Sequence, residues 1–238
     1  MEKIIIVIPT YKEEKNIVKL TNKLTKILPN SLIYVIDDTK NSKIGKVLSK
    51  NKNIKYFLRK NKKGRGSAVL YGLKKSLNKK ASIFIEMDAD FSHRPNEIKK
   101  NLHIFKKKKL DLLVSSRYLP QSKIYNWSIS RRIFSILANF LAKILLNVNV
   151  SDYTNGFRIY SRKSVNLIVK NCGNIGDGFI VLSEILLTIY SNGLKISEVP
   201  SIFINRKRGE SSVNFLLIIQ SLIGIMKLYL IKNKILFK

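Results

Sequence analysis

Acidic residues are scarce in this chain: 15 Asp and Glu stand against 45 Lys and Arg, a formal net charge of +30 over 238 residues. Such an imbalance asks for polyanionic neighbours or a tolerance of them, with nucleic acid and anionic lipid as the two candidates. The same richness in Lys, Ile and Asn is what an AT-rich genome produces, so charge alone assigns no partner. Cysteine occurs once, at Cys172, which excludes an internal disulfide and leaves nothing that requires an oxidising compartment. The cytosolic face of a membrane is therefore the default expectation. Histidine occurs twice, as His93 and His103, and both are read as structural or exposed. After Met1 there is no basic region, apolar stretch and small-residue cleavage site in succession, so export is not expected. Repeats, linkers rich in Pro or Ser, and low-complexity stretches beyond the Lys bias are absent. Long apolar runs are missing too: Val213 to Met226 carries no charge over 14 residues, short of the about 20 that a helix needs to cross a bilayer.

What is present suits one α/β domain. The hydrophobic content of 45% can bury a sizeable core at this length. Ile4 to Ile8 is a continuous apolar run ending at Pro9, the pattern of a strand buried on both faces of a parallel sheet. Residues 12 to 28 space Ile17, Leu20, Leu24, Ile27 and Leu28 at helical intervals, and Leu32 to Ile36 is a second strand that ends at Asp37 and Asp38. Residues 66 to 77 read as a helix. Ser82 to Met87 runs as a strand into Asp88-Ala89-Asp90, and Leu112 to Val114 into Ser115-Ser116-Arg117. Strands that alternate with helices and end in polar clusters describe an open sheet whose ligands bind beyond its carboxyl ends. Two apolar helices stand apart, 129 to 146 and about 213 to 231. Their basic flanks, including Lys227, Lys232, Lys234 and Lys238, suit helices lying in a membrane interface, with a buried core helix as the alternative for Val213 to Met226.

The acidic pair Asp88 and Asp90 is the strongest local chemical signal. Two carboxylates one residue apart at a strand end can share a divalent ion with the oxygens of a diphosphate. An isolated Asp-x-Asp is common, so its meaning depends on what surrounds it.

The surroundings form an ordered set. Pro9-Thr10-Tyr11-Lys12-Glu13, Asp37-Asp38, Lys63-Gly64-Arg65-Gly66-Ser67-Ala68 and Met87-Asp88-Ala89-Asp90-Phe91-Ser92-His93-Arg94-Pro95 resemble successive motifs of a family-2 glycosyltransferase. Ser116-Arg117-Tyr118, Asn126 to Arg132, Asp152-Tyr153-Thr154-Asn155-Gly156-Phe157-Arg158 and Arg206 to Ser211 narrow the resemblance to the dolichol-phosphate (polyprenyl-phosphate) mannose synthase group. It covers nearly all of residues 4 to 212. This resemblance implies a GT-A fold, a Rossmann-like, mostly parallel open sheet flanked by helices. Residues 1–212 would form the catalytic domain and 213–238 an interface helix. Pro9, Tyr11, Glu13, Ile36 and Asp38 would hold the nucleoside, with Ala89 beside them. Asp88 and Asp90 would hold Mg²⁺ or Mn²⁺ and the diphosphate, with Arg206 reaching in from a late loop. Arg117, Arg131 and Ser135 would bind the phosphate of a polyprenyl lipid, and planar guanidinium forks suit that anion.

The implied reaction transfers mannose from GDP-mannose to polyprenyl phosphate in a single inverting displacement at a membrane surface, with room for a small membrane-anchoring partner. Asp88, Asp90, Arg117 and Arg131 are the catalytic candidates. Asp152 is expected to orient rather than to act as a base, and Glu184 to be structural. Three departures bear on this. Lys40, Ser42 and Lys43 replace the usual Ser, Asp and Gly, which loosens the choice of nucleobase. Arg65 replaces the usual leucine between the loop glycines, its charge expected to meet phosphate or solvent. Ser212 replaces a lysine of the late loop, which leaves Lys207 or Arg208 for any diphosphate contact there. Glucose or N-acetylglucosamine from a UDP-sugar is the near alternative. A basic nucleic-acid-binding module would explain the charge but neither the acidic strand end nor the two apolar helices, so nucleic acid is not the expected partner. A catalytically dead regulatory subunit is argued against by intact Asp88, Asp90, Arg117 and Arg131.

Overall fold

The computed structural model describes residues 3–60, 64–205 and 215–236. Within these, strands and helices alternate from β1 (Ile4–Thr10), α1 (Glu14–Ile27) and β2 (Leu32–Asp37) through the short α2 (Gly45–Leu48), β3 (Ile54–Leu58), α3 (Arg65–Ser76) and β4 (Ile83–Glu86). The chain continues through α4 (Glu97–Lys107), β5 (Leu112–Ser116), β6 (Lys123–Tyr125), α5 (Ile129–Leu146), β7 (Arg158–Ser161), α6 (Arg162–Asn171), α7 (Ile180–Ser191), β8 (Ile196–Pro200), β9 (Ile202–Ile204) and α8 (Phe215–Leu236). The main sheet has the order β3-β2-β1-β4-β7-β5-β8, and β6 pairs with β9 in a small second sheet. Every pairing in the main sheet is parallel except those of β7, which runs antiparallel between β4 and β5.

Alternation along β1 divides the core. Ile5 and Val7 belong to one apolar cluster with Val69 and Leu73 of α3, Val165 and Ile168 of α6 and Ile185 of α7. Ile6 and Ile8 belong to the other, with Ile17, Leu20 and Leu24 of α1 and Ile98, Leu102 and Phe105 of α4. A strand covered on both faces must be apolar throughout, which is why Ile4 to Ile8 shows no polar alternation. Each fully buried aliphatic side chain contributes about 1.5–3 kcal/mol, and Ile5, Ile6, Val7 and Ile8 are all completely buried. The three layers agree with the expected α/β class.

The order of β2 and β4 on opposite sides of β1 makes the carboxyl end of β1 a switch point, where an open crevice is expected. The motif residues at the ends of β1, β2 and β4 converge there. Four-residue β7 was not anticipated: the Asp152-to-Arg158 motif gave no apolar run, yet its end pairs Arg158 with Glu86 and Ile159 with Ile85.

The helix at 129–146 has the expected limits. The Ser128 side chain accepts from the Arg131 N–H at 3.3 Å, and Asn147 ends the helix in a left-handed conformation at φ 53°. The last helix is described over Phe215–Leu236 and continues past the expected end at about 231, while residues 213 and 214 of the expected range lie outside the described residues. It packs back on the domain: Ile225 and Leu228 are buried in the core, and Gly224 allows its backbone close to Ile180 of α7. Elsewhere α5 and α8 expose large apolar side chains, among them Ile129, Phe134, Leu137, Phe140 and Ile144 on α5 and Ile223, Met226 and Leu230 on α8. No helix among the described residues is long and apolar enough to cross a membrane.

Candidate active site

At the end of β1 the chain turns sharply. Lys12 adopts a left-handed backbone at φ 57°, and its N–H is held by the Thr39 hydroxyl at 2.7 Å. Asp38, just past β2, donates its N–H to the Thr10 carbonyl at 3.0 Å. Of the expected nucleoside residues, Pro9, Tyr11, Glu13 and Asp38 gather around this turn, with the Tyr11 ring partly exposed and Glu13 accepting from the Asn16 amide at 2.6 Å. Ile36 does not present its side chain: it is completely buried between β1 and α3 and serves to seat the strand.

The acidic pair after β2 divides its work. Asp37 turns inward, accepting from the Thr39 N–H and from the Tyr56 hydroxyl, both at 2.8 Å. Burial, together with Asp37, pushes the Tyr56 hydroxyl up to about 12. Asp38 is gripped by both arms of Arg59, at 2.5 and 2.6 Å, and Arg59 also reaches Ser67 and the Gly64 carbonyl at the start of α3. Sequence reasoning did not single out Arg59, because its partner lies 21 positions away.

After β4 the chain turns again at Phe91, whose φ of 63° is left-handed; a non-glycine residue there costs about 1 kcal/mol or more. Asp90 accepts through Oδ1 from the Ser92 N–H at 3.0 Å and the Ser92 hydroxyl at 2.6 Å. Asp88 meets Arg65, whose Nε and Nη2 donate to its Oδ1 at 2.8 and 2.7 Å, while Nη1 donates to Glu86 at 2.7 Å. The expectation that Arg65 meets phosphate or solvent is thus corrected: two carboxylates of β4 and its following turn claim the guanidinium. Burial would raise the Asp88 carboxyl, but Arg65, aided by Arg117, holds it below the ordinary carboxylate value.

The second cluster lies across from these carboxylates. Arg117 donates to Asp152 from Nε at 2.8 Å and from Nη2 at 2.7 Å, and to the Thr154 hydroxyl at 2.6 Å. Asp152 is completely buried and accepts further bonds from the N–H groups of Arg117, Thr154 and Asn155. Burial works against its charge, but Arg117 outweighs it and keeps the carboxyl below its ordinary value. Trp127 stands between the two expected acceptor arginines, with the guanidinium carbon of Arg117 at 5.3 Å and that of Arg131 at 4.4 Å from its ring centre. The indole N–H is buried and has no hydrogen-bond partner among the described residues. Arg131 also donates to Asn205 at 3.1 Å, and Ser135 accepts from the Tyr118 hydroxyl at 2.6 Å. The structure therefore brings Arg117, Arg131 and Ser135 together at the start of α5. Arg206, Lys207, Arg208 and Ser212 lie outside the described residues.

A hydrogen-bonded chain joins the clusters. The Asp88 N–H donates to His93 Nδ1 at 3.2 Å, His93 Nε2 faces the Asn155 side-chain Oδ1 at 2.8 Å, and the Asn155 backbone N–H donates to Asp152 at 3.0 Å. This arrangement fits a neutral His93 carrying its proton on Nε2, the structural role expected of it. The partner of His93 is 62 positions away, which hid the link from sequence reasoning. Glu184 is structural as well, accepting from the N–H groups of Gly173 and Asn174.

The carboxylates suit a hard divalent ion of the Mg²⁺ or Mn²⁺ kind. Among the described residues there is no group of three or more His, Cys, Asp or Glu able to cage a metal. Mg²⁺ is usually held by one or two carboxylates plus substrate phosphates, and Asp90, oriented by the neutral donors of Ser92, offers such a ligand at the crevice.

A family model described as glycosyl transferase family 2 matches residues 5–168. The chain belongs to that family. It is 29% identical over 218 residues to a polyprenol monophosphomannose synthase of Mycolicibacterium smegmatis, covering 90% of this chain and 82% of that one. It is likewise 29% identical over 217 residues to an undecaprenyl-phosphate mannosyltransferase of Micrococcus luteus, covering 89% and 88% of the two chains. Among solved structures, glucosyl-3-phosphoglycerate synthase from Mycobacterium tuberculosis superposes with a TM-score of 0.66 at 15% identity, over 95% of this chain and 79% of that one. At that identity the likeness establishes the GT-A-like fold. The same synthase is also known in complex with Mn²⁺ and UDP.

Proposed function

We propose that this family-2 glycosyltransferase moves a hexose from a nucleoside diphosphate sugar to the phosphate of a polyprenyl lipid, with mannose from GDP-mannose as the donor sugar. The observation that carries this reading is the position of the acceptor cluster. Arg131 and Ser135 sit in the first turns of the helix whose remaining length exposes Leu137, Phe140 and Ile144. A polyprenyl phosphate needs this combination, because its phosphate stays at headgroup level while its chain remains in hydrocarbon. The names of the two mannosyl-transferring relatives support the same acceptor class.

The apolar faces of α5 and α8 would rest in the interface, with Lys227 and Lys232 meeting anionic headgroups and the sheet standing on the cytoplasmic side. The nucleotide sugar would enter at the switch point, its nucleoside against Pro9, Tyr11, Glu13 and Asp38 and its diphosphate before Ala89 and the Asp88–Asp90 turn, with Arg206 closing from the late loop. A divalent ion bound there with Asp88 and Asp90 would neutralise charge on the departing nucleoside diphosphate. Arg117 and Arg131 would hold the acceptor phosphate on the opposite side of the anomeric carbon. A phosphate monoester is already an anion near neutral pH and needs no base, so positioning and charge neutralisation carry the reaction. Its oxygen attacks the anomeric carbon as the bond to the nucleoside diphosphate breaks, which inverts the configuration. Asp152 orients Arg117 and takes no proton.

The test is a donor panel with purified protein and polyprenyl phosphate in liposomes, products read by mass spectrometry. Hexosyl lipid from GDP-mannose is the expected product. Product only from UDP-glucose or UDP-N-acetylglucosamine would replace the donor, and no transfer to lipid phosphate from any donor would overturn the reading.

A further inference from the structure

Tyr118 touches both halves of the acceptor cluster. It follows Arg117 just after β5, and its ring centre lies 5.4 Å from the Arg117 guanidinium carbon. Its hydroxyl reaches α5 and donates to Ser135 Oγ at 2.6 Å. Burial pushes that hydroxyl above its ordinary value even beside Arg117, so Tyr118 stays a neutral donor. A serine hydroxyl has one proton and two lone pairs. Tyr118 fills one lone pair, and among the described residues the Ser135 proton has no acceptor of its own. A helical serine can instead turn its proton back to the carbonyl four residues earlier, here that of Arg131. The backbone of Ser135 is fixed separately: its carbonyl accepts from the Asn139 amide at 2.7 Å, and Asn139 Oδ1 accepts from the Tyr153 N–H at 2.7 Å. Asn139 is buried, so this turn of α5 is held against the domain and the Tyr118 hydroxyl has only the direction of the serine hydroxyl left to settle. Arg117 is committed in a similar way, with Nε and Nη2 engaged by Asp152 and Thr154 and Nη1 without a hydrogen-bond partner among the described residues. Phosphate oxygens accept and do not donate, so a socket for them must present protons.

We propose that Tyr118 is a positioning residue of the acceptor site: by donating to Ser135 it leaves the serine's single proton for an oxygen of the lipid phosphate, beside Nη1 of Arg117. The proposal rests on the reading above that this cluster binds a polyprenyl phosphate. Tyr118 acts through Ser135 and does not itself touch the phosphate. Without its hydroxyl, Ser135 is free to turn its proton to the helix backbone, and the anion then meets lone pairs in its place.

Trp127 is the single tryptophan of the chain and stands between Arg117 and Arg131, so its fluorescence reports on this cluster without turnover. The titration uses phosphatidylcholine vesicles carrying polyprenyl phosphate, with vesicles carrying the same polyprenol unphosphorylated as the baseline. Ser135→Ala is expected to weaken phosphate-dependent binding by about 10-fold, and Tyr118→Phe, which keeps the ring over Arg117, by about 3- to 10-fold. The two changes remove one and the same interaction, so the double variant should bind within about 2-fold of Ser135→Ala alone. The affinity for GDP or UDP, whichever the native chain binds, should stay within about 2-fold of native in all three variants. A role of Tyr118 limited to packing makes the losses multiply instead, to about 30-fold or more in the double variant. That result would overturn the proposal, as would native binding by Tyr118→Phe or an equal loss of nucleotide affinity, and each would leave the acceptor reading standing. A native chain that binds the two kinds of vesicle equally would overturn the acceptor reading and the proposal with it.

Discussion

Replacing Asp152 by Asn should cost much of the fold's stability, although the two side chains have nearly the same shape. The carboxylate is completely buried and receives five N–H groups, two from the Arg117 side chain and three from the backbone of Arg117, Thr154 and Asn155. An amide keeps one acceptor oxygen, turns an NH₂ toward donors and leaves the Arg117 guanidinium buried without a counter-charge. Breaking a buried pair in this way costs about 3–5 kcal/mol. For a domain of this size 1 kcal/mol shifts Tm by about 2–4 °C, so the Asn protein should melt about 6–20 °C below the native one. Differential scanning calorimetry measures it, with urea unfolding as a check that the m-value is unchanged. A companion protein carrying both Arg117→Met and Asp152→Asn removes the two charges together, keeps an amide oxygen for the backbone N–H groups and should recover part of the lost stability. It should nonetheless fail to use polyprenyl phosphate, because the guanidinium proposed to hold the acceptor is gone. A melting point for Asp152→Asn within about 2 °C of the native protein would refute the buried-pair reasoning. So would a double substitution less stable than the single one.

Other expectations follow from the same geometry. Asp90→Ala should lower sugar transfer by about 100-fold or more while nucleotide still binds, since several kcal/mol of charge stabilisation at the diphosphate would be lost; full turnover by the folded variant with excess chelator would contradict this. Phe134→Glu with Phe140→Glu on the exposed face of α5 should weaken liposome binding by about 100-fold or more, each ring being worth about 1.5–3 kcal/mol when buried. Co-sedimentation with vesicles reads the loss, and unchanged binding would move the membrane contact elsewhere. The carboxyls of Asp88 and Asp152 are both held below their ordinary 3.8. In the window between the depressed folded value and 3.8 the unfolded chain binds more protons, so stability rises with pH there. Their contribution is complete above that window and is lost as pH falls through the folded values; Tm of the native protein should therefore drop more steeply in acid than that of Asp152→Asn.

The strands that carry the donor motifs could be read directly from the chain because a strand covered on both faces has to be apolar at every position. Ile4 to Ile8, Leu32 to Ile36 and, up to Glu86, Ile83 to Ile85 satisfy that condition locally, and each ends where a polar motif begins. The helix at 129–146 was equally plain, since a broad apolar surface runs from Ile129 to Leu145. No such local property marks β7, whose four residues begin with an arginine and gain their place from pairing with Glu86 and Val114. The charged side chains show the division most clearly. From sequence Arg65 is an additional cation near a glycine loop, free to meet phosphate or water. Its partners are 21 and 23 positions away, and the glycine that gives it room lies 91 positions away. Arg59 with Asp38, His93 with Asn155 and Arg117 with Asp152 were chosen in the same manner. Hydrophobic periodicity follows from the geometry of the local backbone, and so one segment is enough to reveal it. An ion pair depends on which charges the folded sheet brings within about 3 Å of each other in a low dielectric, and only the tertiary structure decides that.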